Sequence, residues 1–298
     1  MDSEKRYAVV TGSNKGIGFE VCKQLAANGV MVVLTARDEK KGLEALEKLK
    51  LESGISENVI FHQLDVTDQS SVDAFADFIK AKFGRLDILV SNAGIGGAVV
   101  DYDAFKAKGQ LVIDSHENDW TGMLTETPAL TQECLNTNYY GAKRVVEAFV
   151  PLLGLSKRPK IVIVSSTMGK LKNISNKWAK GVLSDVEGLT EEKIDGVLNK
   201  YKSDFKQGSL EREGWPKYLS AYMVSKSALS AYTRLIARKY PNICINCICP
   251  GFVKTDINGF TGFLTVEDGA ESIAKLALRS DNKTTGCFFF RDEVSSFE

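Results

Sequence analysis

The chain has no surplus of charge of either sign: Lys plus Arg and Asp plus Glu each number 38 among its 298 residues. A field that would draw the whole molecule to nucleic acid or to an anionic membrane is therefore missing, and any anion site must be local. No apolar run approaches the ~18 residues of a membrane span. The start passes from the charged Asp2-Ser3-Glu4-Lys5-Arg6 directly into a short strand-like pattern, without the apolar core of a signal peptide. A cytoplasmic location is expected, with neither nucleic acid nor membrane as partner. Cysteine is sparse, with six residues and no dense framework of a small secreted domain. Cys244, Cys247 and Cys249 fall in an apolar strand-like run that points alternate residues to opposite faces, which reads as buried thiols and no metal. Histidine is scarcer still, and His62 and His116 lack the spacing of a metal site or a triad, so both are read as structural. Internal repeats and low-complexity tracts are absent.

What is present is an ordinary globular composition, 44% hydrophobic and 26% charged. Short β-branched runs at 7–11, 31–35, 59–64, 86–90, 161–165, 243–248 and 287–290 alternate with amphipathic stretches at 18–28, 40–52, 70–83, 131–153, 221–239 and 266–278. Most of the runs are apolar throughout, as strands covered by helices on both faces must be. The expectation is an α/β fold: a doubly wound, Rossmann-like parallel sheet of seven strands in a single domain. Two segments exceed ordinary connections, at about 95–128 and 168–219, and are read as lid-like insertions. The second carries a helical stripe of Ile194, Val197, Leu198, Tyr201 and Phe205.

After the first strand comes Thr11-Gly12-Ser13-Asn14-Lys15-Gly16-Ile17-Gly18, a glycine turn opening a helix. Such a turn lets the backbone approach a pyrophosphate at a helix start. Its Gly-x-x-x-Gly-x-Gly spacing is not the Gly-x-Gly-x-x-Gly of the common dinucleotide fingerprint, and an ordinary tight strand-to-helix turn would also use glycines here. At the end of the second strand stand Ala36, Arg37 and Asp38. A carboxylate at that tip suits the ribose hydroxyls of NAD, whereas Arg suits a 2′-phosphate. Arg37, with Lys15 as a second cation, points to NADPH; a strand-end slip of one or two residues would instead make Asp38 a ribose ligand.

Tyr222 and Lys226 are four residues apart in a predicted helix, on one face, where the ammonium would lower the phenol pKa. Spacing alone decides nothing, because Tyr102/Lys106 and Tyr139/Lys143 repeat it. Order does. Thr11-Gly-x-x-x-Gly-x-Gly, Asp65-Val66, Asn92-Ala93-Gly94, Asn138, Ser165-Ser166, Tyr222-x-x-x-Lys226 and Pro250-Gly251-Phe252-Val253-Lys254-Thr255 follow one another along nearly the whole chain. The ordered set resembles the short-chain dehydrogenase/reductase family, and stretches such as 34–45, 133–141 and 214–234 resemble its plant carbonyl-reductase branch.

The resemblance implies that Tyr222 protonates a substrate oxygen, Lys226 holds the nicotinamide ribose, Ser166 hydrogen-bonds the carbonyl and Asn138 anchors a water relay. It assigns Thr11, Gly12, Asn14, Lys15, Gly16, Ile17 and Gly18 to the pyrophosphate turn and Asp65 and Val66 to the adenine edge. Asn92 and Gly94 fall to the coenzyme floor, and Pro250, Gly251, Val253 and Thr255 to the nicotinamide side. Asp65 as a mere turn residue, and Ser166 or Asn138 as mere caps, are the bland alternatives. Two departures from the family pattern occur, Ser91 before Asn92 and Ile163 in place of an amide. The expected activity is NADPH-dependent reduction of a compact hydrophobic ketone. Reduction of an enone C=C bond and a non-catalytic NADPH-binding module stand as alternatives, the latter weakened by the presence of Ser166, Tyr222 and Lys226 together. The second insertion separates Ser166 from Tyr222 by 55 residues. Its apolar stripe is expected to cover surface where simpler members pair with a neighbour, giving a monomer, and the stretch from Trp178 to Leu189 to roof the substrate site, unless the insertion is purely structural.

Overall fold

The computed structural model describes residues 5–53, 55–107, 120–280 and 284–298. In chain order its strands are β1 (Tyr7–Val10), β2 (Met31–Ala36), β3 (Val59–Gln63), β4 (Ile88–Ser91), β5 (Val99–Val100), β6 (Leu124–Thr125), β7 (Lys160–Val164), β8 (Cys244–Cys249), β9 (Phe288–Phe290) and β10 (Glu293–Ser295). All except β5 and β6 belong to one sheet of order β10-β9-β8-β7-β4-β1-β2-β3. Its pairings are parallel apart from β9 with β10. The seven expected strands are the parallel ones; β10 is an eighth, antiparallel at the edge and reached through a turn with Arg291 at φ 53°.

The helices are α1 (Gly16–Ala27), α2 (Glu39–Ser53), α3 (Gln69–Phe83), α4 (Tyr102–Ala107), α5 (Pro128–Leu135), α6 (Ala142–Leu153), α7 (Lys177–Ser184), α8 (Glu191–Lys206), α9 (Ser220–Lys239) and α10 (Val266–Leu278). The α1, α2 and α10 helices bury apolar faces against one side of the sheet, and α3, α6 and α9 against the other. Covered on both faces, β4, β7 and β8 are buried at every residue, which is why they read as largely apolar runs, with Ser91, Lys160 and Asn246 as their buried polar members. The α5 and α6 helices are joined without interruption by a π turn over Asn136–Gly141, the single-turn irregularity that often marks a functional position in a helix. No helix among the described residues is long and apolar enough to cross a membrane.

The first insertion contributes the β5–β6 pair and α4; His116 lies outside the described residues. His62, on β3, packs its ring at a tilt against Phe75 and Phe78. The second insertion contributes α7 and α8. Ile194, Val197, Leu198 and Tyr201 of α8 have no exposed surface and pack on α5 and α9, while Phe205 is partly buried. Polar staples reinforce that packing. Trp215 Nε1 donates to Asp204 at 2.8 Å, Glu191 receives Lys143 at 2.8 Å and Lys239 at 2.9 Å, and the guanidinium of Arg234 donates to the Leu183 carbonyl. The insertion thus covers the outer face of α9 from within the same chain.

Candidate active site

The sheet order reverses beside β1, whose neighbours are β2 and β4, and in doubly wound folds the crevice at the carboxyl ends of such strands is where ligands bind. A cleft of about 1240 Å³ opens there. Every residue expected to take a catalytic, coenzyme or substrate role lines it except Thr11, Asn138 and Trp178.

At one end is the glycine turn. Gly12 and Gly16 have φ of 60° and 57°, and a Cβ on Gly12 would lie 2.9 Å from the Ala93 Cα. A Cβ on Gly18 would lie 2.5 Å from Asn92 Nδ2. Asn92 is the reason for that closeness: its Nδ2 donates to the carbonyls of Thr11 and Gly12, both at 3.0 Å. Thr11 Oγ1 in turn accepts from the amides of Asn92 and Ala93 at 2.9 and 3.0 Å. Thr11 and Asn92 therefore clamp the turn to the end of β4, with Thr11 behind the surface. No side chain caps the start of α1, so the first-turn amides of the helix face the cleft without an internal side-chain acceptor. A diphosphate fits such a cradle by its charge and by the space the missing Cβ atoms leave.

Ala36 ends β2 and Arg37 follows it, exposed on the cleft wall. Asp38 Oδ1 accepts from the Lys41 amide at 3.0 Å, turning its carboxylate to the start of α2. Lys41 also lines the cleft. It escaped the sequence reading, although a cation one turn past Arg37 at a helix start was a usable signal. Lys15 is ion-paired with Asp256, so its ammonium is engaged by a carboxylate. Asp65 takes the bland form at one oxygen: Oδ1 accepts from the Thr67 amide and hydroxyl at 2.9 and 2.7 Å.

At the other end the catalytic candidates converge. Ser166 follows β7, with its Oγ accepting from the Met168 amide at 3.1 Å and close enough to the Tyr222 hydroxyl to favour its ionised form. Lys226 is 4% exposed, and its Nζ donates to the Val164 carbonyl at 2.8 Å and sits 5.7 Å from the Tyr222 ring centroid. Burial governs both pKa values: it pushes Tyr222 well above the ordinary tyrosine value and Lys226 down to about 8. The phenol is thus raised and not lowered as expected, because desolvation penalises phenolate and ammonium alike. Asn138 sits behind this end with its amide fully engaged. Oδ1 accepts from the Ile95 amide at 2.8 Å, while Nδ2 donates to the Ile95 carbonyl and to Ser225 Oγ, both at 3.0 Å. A Cβ on Gly94 would come within 3.3 Å of Asn138 Oδ1 and 3.5 Å of Lys226 Nζ, so a larger residue there would crowd this end.

The look-alike pairs separate cleanly. Tyr139 is wholly buried against Tyr140 and Tyr232, and Lys143 is paired with Glu191. Tyr102 does line the cleft, but its hydroxyl donates to the Ile257 carbonyl at 2.7 Å. Trp178 corrects the sequence reading: it lies on α7, half exposed, away from the cleft, and no residue from 177 to 189 lines the cavity. Apolar lining of the cleft comes instead from Ala98, Val100, Tyr102 and Trp120 of the first insertion and from Ile257 and Phe263 after β8.

Residues 6–178 match the family described as short chain dehydrogenase, and residues 207–292 the one described as Enoyl-(Acyl carrier protein) reductase. The chain belongs to the short-chain dehydrogenase/reductase family. It is 55% identical to (+)-neomenthol dehydrogenase of Arabidopsis thaliana, with 98% of each chain covered. It is 49% identical to (-)-isopiperitenone reductase of Mentha piperita, covering 99% of each, and 35% identical to Carbonyl reductase [NADPH] 1 of Rattus norvegicus, covering 93% of this chain and 92% of that one. The solved structure of salutaridine reductase from Papaver somniferum superposes with a TM-score of 0.89 at 50% identity, covering 96% of this chain and 99% of that one.

Proposed function

We propose that the protein reduces a ketone carbonyl with NADPH, reversibly, on a compact hydrophobic and cyclic plant metabolite such as a monoterpenoid or alkaloid ketone. The observation that carries this reading is the meeting of Ser166, Tyr222 and Lys226 at the apolar end of the cleft that holds the glycine turn at its other end. The names of the neomenthol, salutaridine and NADPH carbonyl-reductase relatives agree with it.

Gly12, Asn14, Gly16, Ile17 and Gly18 would hold the pyrophosphate, Arg37 and Lys41 the 2′-phosphate, and Lys226 the ribose hydroxyls of the nicotinamide. Val66, Gly94, Pro250, Gly251, Val253 and Thr255 would complete the coenzyme walls. Lys15 joins the phosphate set only by leaving Asp256. When bound, NADPH supplies hydride to the carbonyl carbon. Tyr222, kept protonated by burial, gives its phenolic proton to the carbonyl oxygen, and Ser166 donates a hydrogen bond to the same oxygen. Asn138 acts from behind by fixing Ile95 on the cleft wall. The covering of α9 by α7 and α8 supports a monomer.

The isopiperitenone reductase relative favours a second reading, reduction of the C=C bond of a cyclic enone. A phenol paired with a serine hydroxyl suits an oxygen better than a carbon. Turnover of saturated cyclic ketones and of enones with NADPH, with products identified, decides between them. An alcohol is expected, and exclusive formation of a saturated ketone from an enone would establish the rival. Tyr222→Phe should cut turnover by about 10² or more, with NADPH affinity near normal.

A further inference from the structure

Two pieces of chain far apart in sequence meet along the cleft that Tyr222 lines, the first insertion and the segment 255–260 that follows β8, whose Thr255 and Asp256 also reach the glycine turn. Tyr102 joins them. Its hydroxyl donates to the Ile257 carbonyl at 2.7 Å, and its ring lies on the bare backbone of Gly259, where a Cβ would come within 2.3 Å of Cγ. Gly259 has φ 56°, so it is a glycine both for its backbone and for the ring above it. The start of the same insertion approaches from below: a Cβ on Gly96 would touch Ile257 Cγ1 at 3.8 Å.

The segment that Tyr102 grips is stiff in itself. Asn258 is buried; its Oδ1 accepts from the Thr255 amide at 3.2 Å and its Nδ2 donates to the Val253 carbonyl at 2.8 Å. The amides of Asn258, Gly259 and Phe260 all hydrogen-bond within the segment, at 3.2, 3.2 and 3.0 Å. Such a segment moves as a unit or not at all. Tyr102 and Ile257 both face the cavity that contains Tyr222. Desolvation holds the Tyr102 phenol above its ordinary pKa, so the hydroxyl stays a donor across the neutral range.

We infer that Tyr102 sets the size of substrate the cleft admits, by clasping the segment 255–260 over the substrate end as a fixed roof. The inference rests on the ketone-reductase reading and deepens it: the intact clasp favours a single compact ring, and a loosened one admits a fused-ring ketone. Tyr102→Phe keeps the ring and removes one neutral hydrogen bond, a change of roughly two- to tenfold. Tyr102→Ala removes both contacts, and Gly259→Ala drives a methyl into the ring from the opposite side.

The test measures kcat/KM for a monocyclic and a fused-ring ketone in the four proteins. Hydrogen exchange at residues 257–261 reads the clasp itself. Tyr102→Ala and Gly259→Ala should raise the fused-to-monocyclic ratio about tenfold or more and speed exchange in the segment. Faster exchange with an unchanged ratio would overturn the inference, as would unchanged exchange. Should the wild type turn over neither ketone, the ketone reading fails by itself. Calorimetric affinities of the same two ring compounds then judge the clasp: a tenfold shift in their ratio sustains it and an unshifted ratio sinks it.

Discussion

Lys226→Met is expected to make the coenzyme-free protein more stable at neutral pH while abolishing its activity. The ammonium is almost wholly buried, and burial pushes its pKa from 10.5 to about 8. A lysine whose folded pKa is depressed binds its proton less tightly in the folded chain than in the unfolded one. Its cost to stability is fully present below about pH 8 and is relieved as pH rises toward 10.5. With those two values the cost is about 3 kcal/mol at pH 7 and about 1 kcal/mol at pH 10. Methionine fills the apolar path of the lysine stem and carries no charge. It also strips the Val164 carbonyl of the donor that Lys226 supplies at 2.8 Å, which costs about 1 kcal/mol. The net gain at pH 7 is then about 2 kcal/mol, shrinking to nothing near pH 10.

Absolute stabilities do not isolate this effect. Cys22, Cys134 and Cys247 are pushed up to about 12 by burial, so the folded state loses ground as unfolded thiols ionise. Those thiols contribute nearly equally to both proteins, and the difference between wild type and variant leaves chiefly Lys226. Urea unfolding followed by circular dichroism at pH 7 and pH 10, without NADPH, supplies it. A Lys226→Met protein less stable than wild type at pH 7, or a difference that does not change with pH, would refute the argument from burial.

Arg37→Ala should weaken NADPH binding by roughly ten- to a hundredfold, the worth of a charge-assisted hydrogen bond to phosphate, and leave NADH binding nearly unaltered; equal losses for both coenzymes in a fluorescence titration would count against a 2′-phosphate site. Glu126 accepts from the amide and hydroxyl of Ser220 at 2.9 and 3.0 Å, at the start of the helix that carries Tyr222, where Leu219 offers no side-chain cap. Its replacement by Ala should cost about 1–2 kcal/mol in urea unfolding, Gln should recover part of that, and an Ala variant as stable as wild type would show that the contact is idle. Sedimentation equilibrium should show a monomer, and a stable tetramer would mean that the α7–α8 cover leaves a pairing surface open.

Much of the scaffold is legible in the residues because burial on both faces leaves a simple mark. Most of the seven parallel strands are largely apolar runs, β3 with its His62 and Gln63 being the least so, and the catalytic candidates fall near their carboxyl ends in a fixed order. The elements that escape are those too short to carry a period: β5 and β6 have two residues each, and β10 has three. Glu126 escapes for another reason, since Ser220 is 94 residues away and no local pattern pairs them.

Trp178 shows how a correct kind of inference goes astray. An aromatic beside an apolar stripe does need apolar surface if it faces the same way, but α7 buries Ala179 and Leu183, one turn apart on a single face. Trp178 is one residue out of phase, about 100° around the helix, and so faces solvent. Reading the stretch from Trp178 to Leu189 as a roof took no account of that phase. Tyr102 errs in the opposite direction: set aside as one of three tyrosines with a lysine four residues on, it is the one that reaches across to the segment after β8. Its partners, Ile257 and Gly259, reveal themselves only when the backbone of that segment is in place, because a carbonyl oxygen and a missing Cβ leave no side-chain signature in a sequence.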